Sequence, residues 1–242
     1  MTWLRDRCSV EGLSDDAGVA LVATLAILAL VSAIALGLAL TTSLEPAIAS
    51  AHESSLSAAC AAEAGLAIAM HELGTNADWN LVLAGQIRST VLATALGAPI
   101  TLPDGTQTDL QSLTNLANCG HTAACTSAEL DAFTTDRPWG ANNPRWQVFG
   151  RGRIDQLVSG DVRVPPGDVV VWVADDPAEL DGNPLRDSGW SADGARQPGA
   201  GLIVVRAEGF GIRAAHRVMT ATLGRGPGIE TARFVVAWRE VR

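Results

Sequence analysis

The residues best suited to binding chemistry lie in one acidic stretch, DDPAELDGNPLRDSG at 175–189. Carboxylate and amide oxygens at this density suit Ca²⁺, although their spacing is not the EF-hand pattern. Two interpretations stay open: a loop that binds calcium weakly, and a solvated loop that binds no metal. No other cofactor is predicted. The side chains that could supply oxygen ligands are Asp175, Asp176, Glu179, Asp181, Asn183 and Asp187.

A second group of reactive side chains lies in the short loop CGHTAAC at 119–125. Cys119, His121 and Cys125 could supply three metal ligands, but no fourth ligand is obvious nearby. The topology derived below places this loop in an oxidising compartment, where paired cysteines form disulfides. The loop is long enough to fold back to the Cα separation of roughly 5.5 Å that a disulfide needs. We therefore predict a Cys119–Cys125 disulfide, with a zinc site as the alternative.

No catalytic motif accompanies these residues. The four histidines are scattered, and the chain contains no HExxH, GxSxG, Walker or C-x-x-C pattern. We therefore predict that the protein is not an enzyme. Its net charge of −9 arises from 26 acidic and 17 basic residues. This balance argues against nucleic acid as a partner, because phosphate contacts need clustered cations.

The element that must position these residues is an apolar run at 19–40, VALVATLAILALVSAIALGLAL. It carries no charge, and as a helix it would be about 33 Å long, enough to cross the hydrocarbon core of a bilayer. Apolar residues continue at helical spacing beyond Pro46. One helix is therefore predicted over 19–73, transmembrane at 19–40 and packed on a head at 47–73. Pro46 should kink or locally unwind it, and Gly74 should end it.

The arginines predict how this helix is oriented. Arg5 and Arg7 precede the apolar run, and the next arginine is Arg88. Cytoplasmic flanks of membrane helices carry an excess of basic residues. We therefore predict a single-pass protein of the inner membrane, with its N-terminus in the cytoplasm and its head in the periplasm.

The remaining residues, 74–242, are predicted to form one globular head. Val-rich segments bounded by glycine or proline predict strands, and GFGIRA at 209–214 predicts a hairpin. Because strands follow helices without βαβ alternation, the predicted fold is α+β with an antiparallel sheet. The predicted helices span 78–96, 109–117 and 127–133, and the predicted strands span 146–158, 168–174, 202–208, 215–223 and 232–238.

Two segments, GVALVATLAILALVSAIALGLAL at 18–40 and AAEAGLAIAMHEL at 61–73, resemble type IV pilins and among them the PilX-like minor pilins. The resemblance implies a leader over 1–18, which prepilin peptidase removes by cutting between Gly18 and Val19. It also implies that the long helix then packs among other pilins in a filament. Ala23 stands where major pilins carry a glutamate, which indicates a minor pilin or a secretion pseudopilin.

Two functions are therefore expected from the sequence. The first is a minor pilin or pseudopilin that acts in assembly, initiation or decoration of a type IV pilus or a related secretion pseudopilus. Its partners would be other pilins, prepilin peptidase and the inner membrane. The alternative is an unprocessed, single-pass anchored binding protein. Asp15 and Asp16 favour this alternative, because prepilins commonly carry a basic residue at this place.

Overall fold

A computed structural model describes twelve parts of the chain: 16–75, 78–92, 97, 99–101, 105, 107–157, 164, 166–179, 181–187, 199–211, 215–225 and 233–241. The chain divides into two compact units, Met1–Ser50 and Ala51–Arg242. The predicted leader lies outside the described residues up to residue 15.

Helix α1, Asp16–Thr75, is a single helix of 60 residues. It begins three residues before the predicted start and ends two residues after the predicted end. Pro46 lies inside it without interrupting it, since a proline removes one backbone donor while the neighbouring turns keep theirs. Of the two effects predicted for Pro46, local unwinding is therefore wrong, and a kink stays a prediction. Gly74 does not end the helix either: one more residue follows, and the Thr75 hydroxyl donates a hydrogen bond of 2.9 Å to the Glu72 carbonyl.

The first unit contains the apolar half of α1. Every side chain described between Val19 and Ala49 is exposed, and large aliphatic residues such as Leu28 expose more than half of their surface. By length and composition, α1 could cross a membrane, and it is the one such helix among the described residues. The long apolar helix predicted from the sequence is confirmed.

The second unit contains a five-stranded antiparallel sheet. Its strands are β3 Gln147–Arg153, β4 Asp168–Asp175, β5 Leu202–Phe210, β6 His216–Arg225 and β7 Arg233–Val241, and they lie in this order. Each strand pairs with the next one along the chain, and the predicted hairpin joins β5 to β6, with Phe210 opposite His216. The predicted α+β fold with an antiparallel sheet is confirmed at this level. Two short strands, β1 Ile100–Thr101 and β2 Gln107–Thr108, form a separate pair.

Helices cover both faces of this sheet. On one face, the second half of α1 buries Leu66 and Leu73 in a core shared with Val171 of β4 and Val205 of β5. On the other face, helix α3, Leu110–Cys119, packs Leu113 near Trp172, and the Trp172 indole donates a 2.9 Å hydrogen bond to Thr114 Oγ1. Burial from both sides explains why β4 reads as a continuous apolar run, DVVVWVA.

Small residues allow α1 to lie very close to the sheet. Gly209 of β5 has no room for a side chain: a Cβ there would contact the carbonyl oxygen of Ala58 and lie 2.6 Å from the backbone nitrogen of Ala62. Gly65 of α1 similarly faces Val169 of β4. The AAEAGL segment at 61–66 therefore packs Ala61, Ala62, Gly65 and Leu66 inward, while Glu63 is exposed.

Two other helices are shorter than predicted: α2 is Trp79–Leu83 and α4 is Ser127–Leu130. A further short helix, α5 at Ile154–Leu157, was not predicted. The helix predicted over 78–96 is wrong for residues 84–92, which are not helical, and its last residues, 93–96, lie outside the described residues. The chain turns at Gly85, which has φ of 68°, and it then runs beside β3, where Ser89 N donates to Phe149 O and Arg151 N donates to Leu92 O. The strand predicted over 146–158 ends at Arg153, and its last part forms α5 instead.

Candidate functional site

Three carboxylates converge where β4 leaves the sheet. Asp175 is the last residue of β4, and Glu179 and Asp181 follow in the next turn. Each offers one ligand atom, and these atoms lie within 4.8 Å of one another. We call these three residues the acidic cluster. It is the one group of three or more potential metal-ligating residues at such spacing in the described part of the chain.

The other predicted ligands have different roles. Asp176 Oδ1 accepts a 2.8 Å hydrogen bond from Ala178 N, and Asn183 Oδ1 accepts one of 3.3 Å from Leu185 N. Asp187 accepts a 2.6 Å bond from Gly201 N and lies 3.7 Å from Arg225. These contacts fold the loop and tie it to the sheet. The structure thus brings Asp175 and Asp181 together with Glu179, whereas the side chains of Asp176 and Asn183 accept hydrogen bonds from the backbone of the loop.

Burial sets the electrostatics of the cluster. Asp175 is 3% exposed and Glu179 is 2% exposed, whereas Asp181 is exposed. Desolvation raises the pKa of Asp175 to about 10, and the neighbouring carboxyls of Glu179 and Asp187 add to this rise. A buried carboxyl beside another carboxyl cannot easily ionise. The pair of Asp175 and Glu179 therefore holds either a shared proton or a cation.

Neighbouring backbone holds Glu179 in place. Asn142, in a 3₁₀ turn at Gly140–Asn142, donates a 2.6 Å hydrogen bond from Nδ2 to the Glu179 carbonyl oxygen. Gly199 has φ of 80°, and a Cβ there would lie 2.7 Å from Glu179 N. Both residues are distant from the loop in sequence, so no local pattern in the sequence could have identified them as its supports.

The structure joins Cys119 and Cys125 in a disulfide, the pairing that the sequence predicts, with Cα atoms 6.0 Å apart. Because each sulfur is bonded to the other, neither is available as a thiolate for zinc. His121 Nε2 instead lies 3.0 Å from Glu129 Oε1. Glu129 caps α4 through a reciprocal pair of contacts with Thr126. Hydrogen bonds from Thr126, followed by the one from His121, lower the pKa of Glu129 to about 2.

We expect the disulfide to make a modest contribution to stability. Replacing both Cys119 and Cys125 by serine should lower the free energy of unfolding by about 2 kcal/mol, because the closed loop is short. Thermal unfolding of the full chain in detergent measures this change. Cys60→Ser is the matched control, since Cys60 is a free, half-buried cysteine. Mass spectrometry of non-reduced peptides should show the linked pair, and free thiols at both positions would contradict the prediction.

The predicted cleavage junction lies inside helix α1. Gly18 and Val19 follow the first helical residue, Asp16, by two and three positions. No atom outside the local helix lies within 4 Å of the position that a Gly18 Cβ would occupy, and Val19 exposes 68% of its surface. The backbone at Gly18 is therefore helical. The negative charge of Asp16 stabilises the N-terminal turn of a helix.

Sequence analysis missed a buried ionic network on the β5–β6 hairpin. Glu208 is 6% exposed, and it contacts Arg206 at 2.6 Å and His216 at 2.9 Å. Burial acts to raise the pKa of Glu208, but the bonds from His216 and Arg206 outweigh it and the pKa is lowered. The His216 ring stacks on Phe210 at 4.8 Å. The alternation of Arg206 and Glu208 on one strand was the available signal.

Comparison with known proteins gives no relative from which a function could be transferred. No family model matches the chain, and no curated protein or solved structure shows significant similarity to it.

Proposed function

We propose that this protein is a minor pilin or pseudopilin that acts in assembly, initiation or decoration of a type IV pilus or a related secretion pseudopilus. The observation that supports this function is the division of α1. Its first half, up to Ala49, exposes apolar side chains throughout, and its second half is buried through small residues against an antiparallel sheet. The protein acts as a structural subunit and catalyses no reaction.

In this proposal the apolar half of α1 has two successive environments. It first anchors the chain in the inner membrane, with the N-terminus in the cytoplasm and the head in the periplasm. After prepilin peptidase removes residues 1–18, the helix leaves the bilayer and packs among the helices of other pilins. The helical surface of residues 19–40 is uncharged, and it is compatible with both environments because lipid tails and aliphatic side chains are similarly apolar.

The test is the mature N-terminus of the native protein. In cells with active prepilin peptidase, N-terminal sequencing should give Val19, and a Gly18→Leu variant should retain the leader. Gly37→Leu is the matched control: it changes another glycine of α1 that also has nothing within 4 Å of its Cβ position. We expect this variant to be processed as the unchanged protein is. A start at Met1 would contradict the pilin proposal.

One observation favours the alternative, an unprocessed anchored binding protein. The Gly18–Val19 bond lies in helical backbone, and a peptidase needs an extended backbone at the bond that it cuts. Local unwinding of the first turn would be required, to which a glycine contributes by its low helix propensity. An N-terminus at Met1, unchanged in cells with or without prepilin peptidase, would support this alternative.

A further inference from the structure

We propose that the acidic cluster of Asp175, Glu179 and Asp181 binds one Ca²⁺ ion on the head of the protein. The inference concerns residues within the second unit and does not depend on the pilus function. Three steps support it: the spacing of the ligand atoms, the unsatisfied oxygen of Asp175, and the difference in burial between the members of the cluster.

The spacing fits an oxygen-coordinated cation. Calcium binds carboxylate oxygens at about 2.3–2.6 Å, so two ligands on opposite sides of the ion lie roughly 4.6–5.2 Å apart. The ligand atoms of the acidic cluster lie within 4.8 Å of one another, which allows all three to contact one central ion. The remaining coordination positions would be filled by second carboxylate oxygens, backbone carbonyls or water.

Asp175 provides an independent indication of a missing partner. The residue is 3% exposed, its side chain contacts the Glu179 carboxyl, and its Oδ1 atom is buried and accepts no hydrogen bond from an N–H or hydroxyl donor of the described residues. Neither Asp175 nor Asp181 forms an ion pair within the described ranges of the chain. Buried carboxylate oxygens are normally satisfied by a donor or a metal. A cation between the carboxyl groups would satisfy this oxygen and remove the repulsion inside the cluster.

The three carboxylates of the acidic cluster differ in burial, so that one side of the site faces solvent and the other side faces the protein interior. Asp181 is exposed and can exchange an ion with solvent, whereas Asp175 and Glu179 are buried and bind it away from bulk water. Asp181 Oδ1 accepts a 2.8 Å bond from Asn183 N, and Glu179 is fixed through Asn142 and Gly199. Binding should therefore need little rearrangement of the loop.

The experiment uses the full chain in detergent, freed of divalent ions with a chelator. Calorimetric titration with CaCl₂ should show one site with a Kd on the order of 10⁻⁴ M. At 10 mM CaCl₂ the Tm should rise by about 5–10 °C, because binding to the folded state alone stabilises it. NaCl at equal ionic strength should not reproduce this rise.

Two variants and one control locate the site. Asp175→Asn and Asp181→Asn each remove a ligand charge at nearly constant size, and each should weaken Ca²⁺ binding about tenfold or more. The Asp181 variant protects the test against misfolding, since this residue is exposed. Asp176→Asn removes the same charge one residue away from Asp175 but keeps the oxygen that accepts from Ala178 N. It should leave Ca²⁺ binding unchanged.

Several results would overturn the calcium site. One is the absence of any calcium-dependent heat or Tm change. If Asp175→Asn also raises the Tm, the buried pair is identified as two carboxyls that share a proton. Another is an equal response to MgCl₂, which would show general screening of acidic residues. A response that Asp176→Asn lowers as much as Asp175→Asn does would also remove the assignment to this cluster.

Discussion

Gly209→Ala is expected to destabilise the head by about 3 kcal/mol or more, at the upper end of the cost of overpacking a core. The added Cβ would contact the Ala58 carbonyl oxygen and lie 2.6 Å from Ala62 N. Both atoms belong to the backbone of α1, so no side-chain rotation can relieve the contact. The helix must move away from the sheet or bend. For a domain of this size, a loss of about 3 kcal/mol should lower the Tm by roughly 6–12 °C.

Circular dichroism of the full chain in detergent, followed on heating, measures this loss. Gly97→Ala is the matched control: nothing lies within 4 Å of its Cβ position, and its φ is not in the positive range. Its Tm should stay within a degree or two of that of the unchanged protein, as for most exposed substitutions. A Gly209→Ala variant with the same Tm as the control would show that α1 does not lie against β5 as described.

The strands were predicted from the sequence more accurately than the helices of the head. The segments 168–174, 202–208, 215–223 and 232–238 were each placed within three residues of their ends, because Val-rich runs between glycines are typical of buried strands. The prediction of the helix at 78–96 failed for a reason outside its own sequence. Its later residues donate hydrogen bonds to Glu72 and to β3, and periodicity cannot reveal partners so distant.

The acidic cluster shows the same limit at the candidate site. The sequence located the acidic loop, since carboxylates crowd into one short stretch between strands. It could not distinguish Asp175 and Asp181, which converge, from Asp176 and Asn183, which bond to the backbone of the loop. That distinction depends on the direction in which β4 ends and on contacts from Asn142 and Gly199. The disulfide was easier to predict, because both of its partners lie in one short loop.

Glu72→Ala is expected to have the second largest effect, a loss of about 2–3 kcal/mol in the free energy of unfolding. The Glu72 carboxylate joins α1 to the segment beside β3: it accepts hydrogen bonds from Ser89 Oγ, from Thr90 N at 2.8 Å and Oγ1 at 2.6 Å, and from Val91 N at 3.2 Å. Hydrogen bonds to a charged group contribute more than neutral ones. Without the carboxylate, the hydrogen-bond donors of residues 89–91 must bond to water instead, and the contacts of Ser89 and Leu92 with β3 weaken.

Acid dependence separates this role from a simple loss of packing. Burial acts to raise the pKa of Glu72, but the bonds from Ser89, Thr90 and Val91 outweigh it, so the pKa is lowered from its ordinary value of 4.5. The carboxylate therefore stabilises the fold above about pH 4.5 and loses this contribution as pH falls through the lowered pKa. Equilibrium unfolding of the full chain, measured from pH 7 to pH 3, should show a gap between unchanged protein and Glu72→Ala that is largest at neutral pH and narrows in acid. The control is Glu63→Ala, which changes an exposed glutamate of the same helix and should differ little in stability from the unchanged protein at any pH. A stability difference for Glu72→Ala that stays constant with pH would mean that the methylene groups of Glu72, and not its charge, hold residues 89–91.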